Sequence, residues 1–455
     1  MSQDLRDFLA MEEEKGNLHH VPVRVAREYE ISTLMMGLDK ERRHPIMVFD
    51  DVENSEFSVV TNVLGCRQYF ADGLGVEVGQ EAEAFADRIG RRIEEVEIIE
   101  DAPLNAHTIT GDDIDLYKLP ILTHFPIDAG PYVTSGLCVA RDPESGAETL
   151  GFQRMQLKGK NLLGISLHSR QRLWEYFRRS EERGENLKGA VVIGVHPNIS
   201  LGSMALVPYH MGKYGAIGGL FREPLKVTPC LHSDLLIPAY TEIVLEGELL
   251  AGEREKEGPF AEFTNYACYR STENLFRVTA IRYREKALYH DLTPGMSSEH
   301  ITVVAIQREG DVLKALRQNL PNIKAVHAPN SACGLFHCYI SMKKIAEGQP
   351  QQAIYTAFAV DHNLKTVIVV DEDVDVYNEE EVLWALATRL QADKGVSILP
   401  QHLGMGVTLD PSSDDLSRSA KMGIDATKPL SGFADKIEMD PQVEKAVQRL
   451  YPYTK

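Results

Sequence analysis

The chain is poor in several residue types, and each shortage excludes a class of protein. Cysteine occurs 6 times in 455 residues and never as a CxxC pair, so neither a zinc knuckle nor a disulfide framework is predicted. No apolar run approaches the roughly 20 residues that span a bilayer. The chain also begins without a basic segment followed by an apolar one. We therefore expect buried thiols and a soluble, cytoplasmic protein without a membrane partner.

Positive charge is scarce as well. The chain has 48 Lys and Arg residues against 67 Asp and Glu residues, a formal net charge of −19. This balance repels nucleic acid and anionic membranes, so neither is an expected partner. A phosphate or carboxylate ligand would need a local cluster of cations within this acidic background. That requirement makes Arg154 and Lys213 candidate contacts for such a ligand.

The residues that are present suit an α/β chain, of the α+β kind, with two or three domains. A length of 455 residues with 43% hydrophobic content allows several cores and a cleft between them. Residues 1–105 alternate helix and strand signals and are predicted to form an N-terminal α/β domain. Its strand is expected at residues 46–49, and its helix has apolar residues at helical spacing, namely Ala82, Phe85, Ala86, Ile89 and Ile93.

Further along the chain the pattern turns to β and then returns to α/β. Residues rich in β propensity, separated by Gly, Pro and Asp, occupy positions 132–140, 190–195, 242–249 and 276–283. We expect a central split β-barrel over residues 106–300. Alternation returns over residues 301–455, which predicts a C-terminal α/β domain with a tail helix at about 441–451.

Two acidic residues flank a Gly-Pro turn near the middle of the chain. Glu257 and Glu262 are too far apart to share a helical face, so an extended or turn segment must aim them at a common point. Arg154, which ends the run 149–154, could pair with one acid and leave the other to carry protons. The spacing alone favours the alternative, a charged surface loop.

A resemblance to a known family weighs against the surface loop. Blocks at residues 4–9, 46–52, 59–65, 197–262 and 421–427 keep the order of that family along nearly the whole chain. By these blocks the chain resembles the UbiD family of decarboxylases, which use prenylated flavin mononucleotide (prenylated FMN). The resemblance implies a flavin-binding split β-barrel between two α/β domains. It also implies a homo-oligomer, a dimer or a hexamer, in which the tail helix packs on a neighbouring subunit.

In the family one arginine and two glutamates perform the chemistry, and Arg154, Glu257 and Glu262 match them without substitution. Decarboxylation needs the substrate carboxylate held, the developing negative charge delocalised and a proton delivered to carbon. The resemblance assigns the carboxylate to Arg154 and the proton to Glu262, with the modified flavin as electron sink and Glu257 orienting Arg154. The alternative is an ion-paired network with a structural role.

The resemblance also implies which residues surround the flavin. Hydroxyl groups and backbone amides beside glycine can approach a phosphate or a flavin edge closely. The expected cofactor-binding residues are Thr134, Thr149, Gly151, Phe152, Gln153, Arg154, His168, Ser203, Met204, Lys213 and Lys421.

The divalent metal that bridges to the flavin phosphate in the family is in question here. The family holds it with an Asn, a His and a Glu, and the matching positions are Thr149, His168 and Lys213. An ammonium cannot ligate a cation, and Thr is a weak ligand for Mn²⁺ or Mg²⁺. His168 is therefore a ligand only if a metal is bound. Lys213 either brings its own charge to the phosphate or points into solvent, and both interpretations stay open.

Two histidines in the C-terminal region are candidates for the substrate pocket. His327 and His337 lie in segments that look more like the hydroxybenzoate-type members of the family. A histidine can hydrogen-bond a phenol or a ring heteroatom. For His337 the alternative is a core residue whose hydrogen bonds are satisfied within the protein.

The leading hypothesis is a reversible, non-oxidative decarboxylase of an aromatic, heteroaromatic or α,β-unsaturated carboxylic acid. It would use prenylated FMN supplied by a flavin prenyltransferase. The second hypothesis, motivated by Thr149 and Lys213, is a catalytically silent homologue or an accessory subunit with impaired flavin binding. The retained Arg154, Glu257 and Glu262 argue against it. An ordinary flavin oxidoreductase lacks support, because the chain has no nicotinamide-binding fingerprint.

Overall fold

The computed structural model describes residues 2–167 and 172–454. Its strands, in chain order, are β1 Leu18–Val21, β2 Ile46–Phe49, β3 Ser58–Thr61, β4 Val96–Ile98, β5 His107–Thr110, β6 Tyr132–Val133, β7 Leu137–Arg141, β8 Glu148–Phe152, β9 Met155–Gly159, β10 Leu162–Ile165, β11 Leu187–Ile193, β12 Leu225–Pro229, β13 Leu236–Pro238, β14 Ile243–Ala261, β15 Ala267–Tyr283, β16 Leu288–Asp291, β17 Ile323–His327, β18 His337–Met342, β19 Thr366–Asp371, β20 Val396–Leu403 and β21 Arg418–Asp425.

The helices are α1 Leu5–Glu14, α2 Glu30–Lys40, α3 Arg67–Leu74, α4 Glu81–Gly90, α5 Arg172–Glu182, α6 Pro197–Ser203, α7 Tyr214–Phe221, α8 Ser298–Arg317, α9 Gln349–Val360, α10 Glu379–Arg389, α11 Ala392–Gly395 and α12 Pro441–Val447. Short 3₁₀ helices lie at Pro103–Ala106, Gly111–Asp113, Leu116–Lys118, Asn330–Ala332 and Gln448–Thr454. The mixed α/β fold predicted from the sequence is confirmed.

The N-terminal region forms a four-stranded sheet in the order β1-β2-β3-β16. The predicted strand at 46–49 is β2, and the predicted helix is α4, which buries Phe85 and Ile89 but ends before Ile93. Asp4 caps α1 by accepting a hydrogen bond from the Arg6 amide at 2.9 Å. The core beneath this sheet extends to Val303 and other buried residues of α8, so the helix that opens the C-terminal region packs directly on the N-terminal region.

The central region is a nine-stranded sheet in the order β6-β9-β10-β15-β14-β11-β7-β8, with β5 also paired to β15. Its neighbouring strands pair antiparallel, and the sheet forms a half-barrel, which confirms the expected split β-barrel. Strands β14 and β15 are the long ones, with 19 and 17 residues. A small sheet in the order β13-β12-β4 lies beside them.

The C-terminal region is a five-stranded sheet in the order β17-β18-β19-β21-β20. The central strands β18, β19 and β21 are parallel, and β18 and β19 are almost wholly buried, which explains their continuous apolar sequences. The predicted tail helix is α12, and none of its residues is buried. Its packing on a neighbouring subunit stays a prediction.

The six cysteines are free thiols: Cys138, Cys230, Cys268 and Cys338 are buried, and the other two are half-buried. Over residues 2–167 and 172–454, none of the helices combines the length and the apolar character that a membrane crossing requires.

Candidate active site

Arg154 lies in the loop between β8 and β9 and is held by two carboxylates. Its Nη2 donates to Glu257 Oε2 at 2.9 Å, and its Nη1 donates to Glu262 Oε1. All three side chains are largely buried. The arginine and the two acids that the sequence singled out therefore meet in one enclosed cluster, and the surface-loop interpretation is wrong.

An irregularity in β14 explains how both acids reach one arginine. On a regular strand, residues five positions apart face opposite sides of the sheet. The register of β14 against β15 shifts between Glu257 and Phe260, and Gly258 has a φ of 81°, which glycine adopts without strain. The chain turns between the two acids, so both face Arg154.

Two aromatic side chains fix the position of the guanidinium. The Phe260 ring lies beneath Arg154, with 4.7 Å between Cζ and the ring centroid. The Tyr132 ring packs on Phe260 at 4.6 Å between centroids, and the Tyr132 hydroxyl donates to Glu257 Oε1 at 3.3 Å. Burial opposes the charge of Arg154, but Glu262 and Glu257 outweigh it and raise the pKa of Arg154 above its ordinary value. The arginine is permanently cationic.

A cavity of about 170 Å³, which we call the inner cavity, opens in front of Arg154 and Glu262. Its walls are mostly apolar, and the two charged groups enter it from one side. The lining residues are Thr134, Phe152, Gln153, Arg154, Ser166, Met204, Phe260, Glu262, Leu292, Pro294, His300, Val303 and Val304. An apolar cavity with a few convergent polar groups is the usual form of a ligand site.

A second cavity of about 430 Å³, the cationic cavity, adjoins the first through Phe152, Gln153 and Met204. Its charged lining residues are Arg172, Lys213 and Arg308, and none of its described lining residues is acidic. The remaining lining residues are Cys138, Thr149, Gly151, Leu173, Ser203, Ala205, Leu206, Val207, Tyr209 and Gln307. In a chain of charge −19, such a cluster fits a phosphate group.

Lys213 is half-buried and lines this cavity. Its Nζ donates to the Ser203 carbonyl at the C-terminal end of α6, where a cation is favoured. The Cβ that a side chain at Gly151 would carry lies 3.8 Å from that Nζ. Burial, and then the neighbouring charge of Arg172, lower the pKa of Lys213 to about 7. An anion bound here would therefore draw a proton onto this amine.

Most of the other expected cofactor residues line one or both cavities. Thr134 lines the inner cavity, where its hydroxyl donates to Asp291 Oδ1 at 3.3 Å. Thr149, Gly151 and Ser203 line the cationic cavity. Phe152, Gln153 and Met204 line both and so form the passage between them. His168 lies outside the described residues.

Three expected residues do not line these cavities. The Lys421 ammonium donates to the carbonyls of His362 at 2.8 Å and Leu364 at 2.5 Å, inside the C-terminal region. His327 Nδ1 is 2.9 Å from Glu309 Oε1, in an ion-paired cluster with Arg67. His337 is half-buried at the start of β18. Lys421 and His327 have their polar atoms occupied elsewhere, which corrects the expected places of these two side chains.

Among the described residues, His300 in the first turn of α8 lines the inner cavity, and sequence reasoning missed it. Its Nδ1 is 3.1 Å from the Gly295 carbonyl oxygen, so Nδ1 carries the proton and Nε2 keeps a lone pair. Burial lowers the pKa of His300, although Glu262 opposes the shift. The available signal was the Ser297 cap of α8, which accepts from the His300 amide at 3.1 Å and locates the helix start.

A third cavity of about 120 Å³, the outer cavity, continues from the inner one past His300 and Val304. It lies between the central and C-terminal regions and is lined by Phe263, His300, Ile301, Val304, Arg308, Cys333, Leu335 and Met405. Arg308, two helical turns after His300, borders both the outer and the cationic cavity and pairs with Asp361. Over residues 2–167 and 172–454, no group of three or more His, Cys, Asp or Glu side chains is arranged to hold a metal ion.

Three sequence profiles of one family match the chain. They are the 3-octaprenyl-4-hydroxybenzoate carboxy-lyase N-terminal domain at residues 9–89, the Rift-related domain at 97–297 and the C-terminal domain at 301–426. The chain belongs to the UbiD family, whose members are decarboxylases. It is therefore a UbiD-class decarboxylase, a carboxy-lyase that uses a flavin.

Two curated relatives and two solved structures illustrate the relationship. The anhydromevalonate phosphate decarboxylases of Methanothermobacter thermautotrophicus and Methanosarcina mazei are 31% and 30% identical, over 90% and 93% of this chain and 95% and 96% of theirs. The UbiD-class enzyme HmfF of Pelotomaculum thermopropionicum, in complex with FMN, matches with a TM-score of 0.92 and 35% identity, over 98% of this chain and 99% of that one. Vanillic acid decarboxylase of Sedimentibacter hydroxybenzoicus, in closed form, has a TM-score of 0.85 and 28% identity, over 100% and 99%.

Proposed function

We propose that the chain is a reversible, non-oxidative decarboxylase of an aromatic, heteroaromatic or α,β-unsaturated carboxylic acid, with prenylated FMN as cofactor. The observation that carries the proposal is one arginine clamped by two buried glutamates at the edge of an apolar cavity that leads into a cluster of cations. The inner cavity suits the flat ring system of the flavin, and the cationic cavity suits the phosphate of the flavin. A silent homologue would not need this assembled cluster.

The substrate is held and protonated by residues of this chain. Arg154 is cationic and rigid, so it orients a substrate carboxylate in the inner cavity. Bound prenylated FMN supplies the electron sink for the pair left on carbon when carbon dioxide departs. Glu262 lines the cavity beside Arg154, so its carboxylic acid form delivers a proton to that carbon, and its carboxylate form takes the proton from the substrate in carboxylation. Glu257 lies behind the arginine, where it orients the guanidinium.

The flavin phosphate is held by cations in this proposal. Lys213 supplies the charge that a divalent metal supplies in relatives, and Arg172 adds a second. Arg172 is anchored, because it donates to the Met211 carbonyl at 2.8 Å and to the Val207 carbonyl at 2.9 Å. A Mn²⁺ or Mg²⁺ ion with His168 as a ligand is the alternative, and retention of flavin in the presence of a chelator separates the two.

The outer cavity takes the part of the substrate that lies beyond the carboxylate. His300 offers Nε2 as a hydrogen-bond acceptor at its entrance, and Arg308 offers a positive group further in. Two relatives carry a name that specifies a phosphorylated substrate, and the cationic end of the cavity favours decarboxylation of an acid with an anionic tail as the second candidate. Ring acids and phosphorylated unsaturated acids are both to be assayed.

The test begins with protein co-produced with a flavin prenyltransferase. We expect the absorbance and mass spectrum of prenylated FMN in the purified protein, release of carbon dioxide from at least one acid of the panel, and solvent deuterium at the vacated carbon. The Arg154→Ala variant is the matched control. Bound prenylated FMN without turnover of any ring or unsaturated acid would contradict the enzymatic role, and failure to bind the cofactor would support an accessory subunit.

The chain is also proposed to assemble into a homo-oligomer through its tail. The tail exposes apolar side chains, among them Ile437, Met439 and Val443. One structural relative is described as an evolved dimeric form, and another as a two-subunit enzyme. Light scattering should give the full chain the molar mass of an oligomer and a chain that ends at about residue 428 the molar mass of a monomer. The same number of subunits in both would refute this role for the tail.

A further inference from the structure

A third buried glutamate lies beside the Glu257–Arg154 pair. Glu273 is on β15, opposite Glu255 of β14, and only 2% of its surface is exposed. Its Oε2 also reaches β10, because a Cβ on Gly164 would lie 3.0 Å from that oxygen. The neighbours that act on its charge are Glu257, Arg154 and Ser166, and Ser166 lines the inner cavity.

Neither carboxyl oxygen of Glu273 has a hydrogen-bond partner among the described residues. The two cations near it in the described part of the chain are engaged elsewhere. Arg154 is committed to Glu257 and Glu262, while the Lys158 ammonium donates to the Lys256 carbonyl at 2.5 Å. An ionised carboxylate in this position would be both buried and unpaired, which costs several kcal/mol in general. A protonated carboxyl group avoids that cost, and its O–H can donate a hydrogen bond.

The charge balance of the cluster leads to the same conclusion. Among the described side chains of the cluster, the three carboxyl groups of Glu257, Glu262 and Glu273 are matched by one guanidinium, that of Arg154. Because Glu273 alone has no contact with that guanidinium, it is the natural holder of a proton. Burial, and then the negative charge of Glu257, raise the pKa of Glu273 to about 9.

We propose that Glu273 is a positioning residue that stays protonated at neutral pH and donates its proton as a hydrogen bond to Glu257, which keeps Glu257 ionised and aimed at Arg154. Glu257 then accepts hydrogen bonds from three groups: the Tyr132 hydroxyl at Oε1, Arg154 at Oε2, and the protonated Glu273. The inference rests on the proposed decarboxylase function. It adds a group that the mechanism above does not use.

The proposal predicts an alkaline limit to activity. When Glu273 loses its proton, a second negative charge beside Glu257 replaces a donor, and the guanidinium is drawn away from the inner cavity. Among the described side chains, the other charged or titratable groups facing Glu273 are Tyr132 on β6, Lys158 on β9, Glu255 and Glu257 on β14, and Arg154. Lys158 is engaged outside the cluster, and burial, with Glu257 second, raises the pKa of Tyr132 far above this range.

The test compares Glu273→Gln with Glu273→Leu in holoenzyme. Gln is a neutral donor of nearly the same shape, so we expect kcat near neutral pH to stay within about threefold of the parent and the alkaline limb to disappear. Leu has no donor, so kcat should fall by about 10- to 100-fold with KM little changed. Glu248→Gln, on the same sheet and paired with Lys188 at 2.9 Å, is the matched control that keeps the parental pH profile. An unchanged alkaline limb in Glu273→Gln, or a loss of activity in Glu273→Gln as large as in Glu273→Leu, overturns the proposal.

A second measurement needs no turnover. The parent protein should show the infrared carbonyl band of a protonated carboxyl group at neutral pH, and Glu273→Gln should lack it. Folding should also bind one proton between the ordinary pKa of 4.5 and about 9, so that stability falls as pH rises through this window. Glu273→Gln should remove that dependence. An unchanged band in Glu273→Gln refutes the protonated state, whereas failure of the decarboxylase assay alone refutes only the proposed function.

Discussion

Lys213→Ala is the substitution that best tests how this chain holds its cofactor. Lys213 is half-buried at the C-terminal end of α6, in a cavity without acidic lining among its described residues. A charge-assisted contact with phosphate contributes about 1.5 to 3 kcal/mol, so its loss should weaken FMN binding by roughly 10- to 100-fold. Fluorescence titration of apoprotein with FMN measures this affinity. Lys188→Ala, at an exposed lysine of β11, should leave it unchanged.

The pH dependence makes the prediction sharper. Burial, with Arg172 second, lowers the pKa of Lys213 to about 7 in the free protein, and a bound phosphate raises it again. Binding therefore takes up a proton above about pH 7, and the parental Kd should rise by up to tenfold per pH unit until the pKa of the complex is reached. Ionisation of the phosphate itself affects parent and variant equally, so the ratio of their Kd values isolates Lys213. That ratio should be largest near about pH 6 and approach one at high pH.

Two results would refute this reasoning. A ratio that stays near one at every pH would show that Lys213 does not contact the phosphate. Stoichiometric Mn²⁺ or Mg²⁺ in the holoprotein, with FMN released by a chelator, would show that the metal site of the family survives with other ligands. If Lys213 serves in place of the metal, holoprotein treated with a chelator keeps its flavin, while Lys213→Ala loses it and still melts cooperatively by circular dichroism.

The remaining predictions concern the inner cavity. Glu262→Gln should keep the fold and the cofactor but lose most turnover, because an amide cannot deliver a proton; decarboxylation near the parental rate with normal deuterium incorporation would exclude that role. Arg154→Ala should lower kcat/KM by on the order of 10²- to 10³-fold, since the carboxylate clamp is gone and Glu257 loses its partner, and parental steady-state kinetics would mean that the site lies elsewhere. His300→Ala should raise KM by about tenfold with a smaller change in kcat, because Nε2 faces the substrate side; the opposite split between KM and kcat would move His300 into the chemical step.

Local sequence patterns predicted the elements that depend on short-range physics. The apolar run 46–49 is a strand because such a run suits a pleated, buried surface. The periodicity of α4 predicted the buried face with Phe85 and Ile89, but not the end of the helix at Gly90. Helix ends depend on tertiary contacts: Arg91 is followed by a chain segment whose Ile93 amide donates to the Gly215 carbonyl at 2.9 Å.

In the candidate site, too, some residues could be predicted from the sequence and others could not. The spacing and composition of Glu257, Glu262 and Arg154, with their resemblance to a known family, were sufficient to single out three residues that the fold brings together. Those signals could not place Lys421 and His327, because a lysine or histidine side chain is committed by whichever carbonyl or carboxylate the folded chain brings near it. They also missed His300, whose role depends on how α8 packs against the central sheet.

The sequence by itself determined the α/β class, the β-rich centre and the set of residues able to hold and protonate a carboxylate, because these follow from local periodicity and from residue chemistry. Only the tertiary structure decided that a break in β14 aims two acids at one arginine, that Lys213 lines the cationic cavity and that Glu273 lies unpaired beside Glu257. The contacts of Arg154 with Glu257 and Glu262 join segments 103 and 108 residues apart in the chain. Charge and burial there are properties of the folded neighbourhood, so no local pattern encodes them.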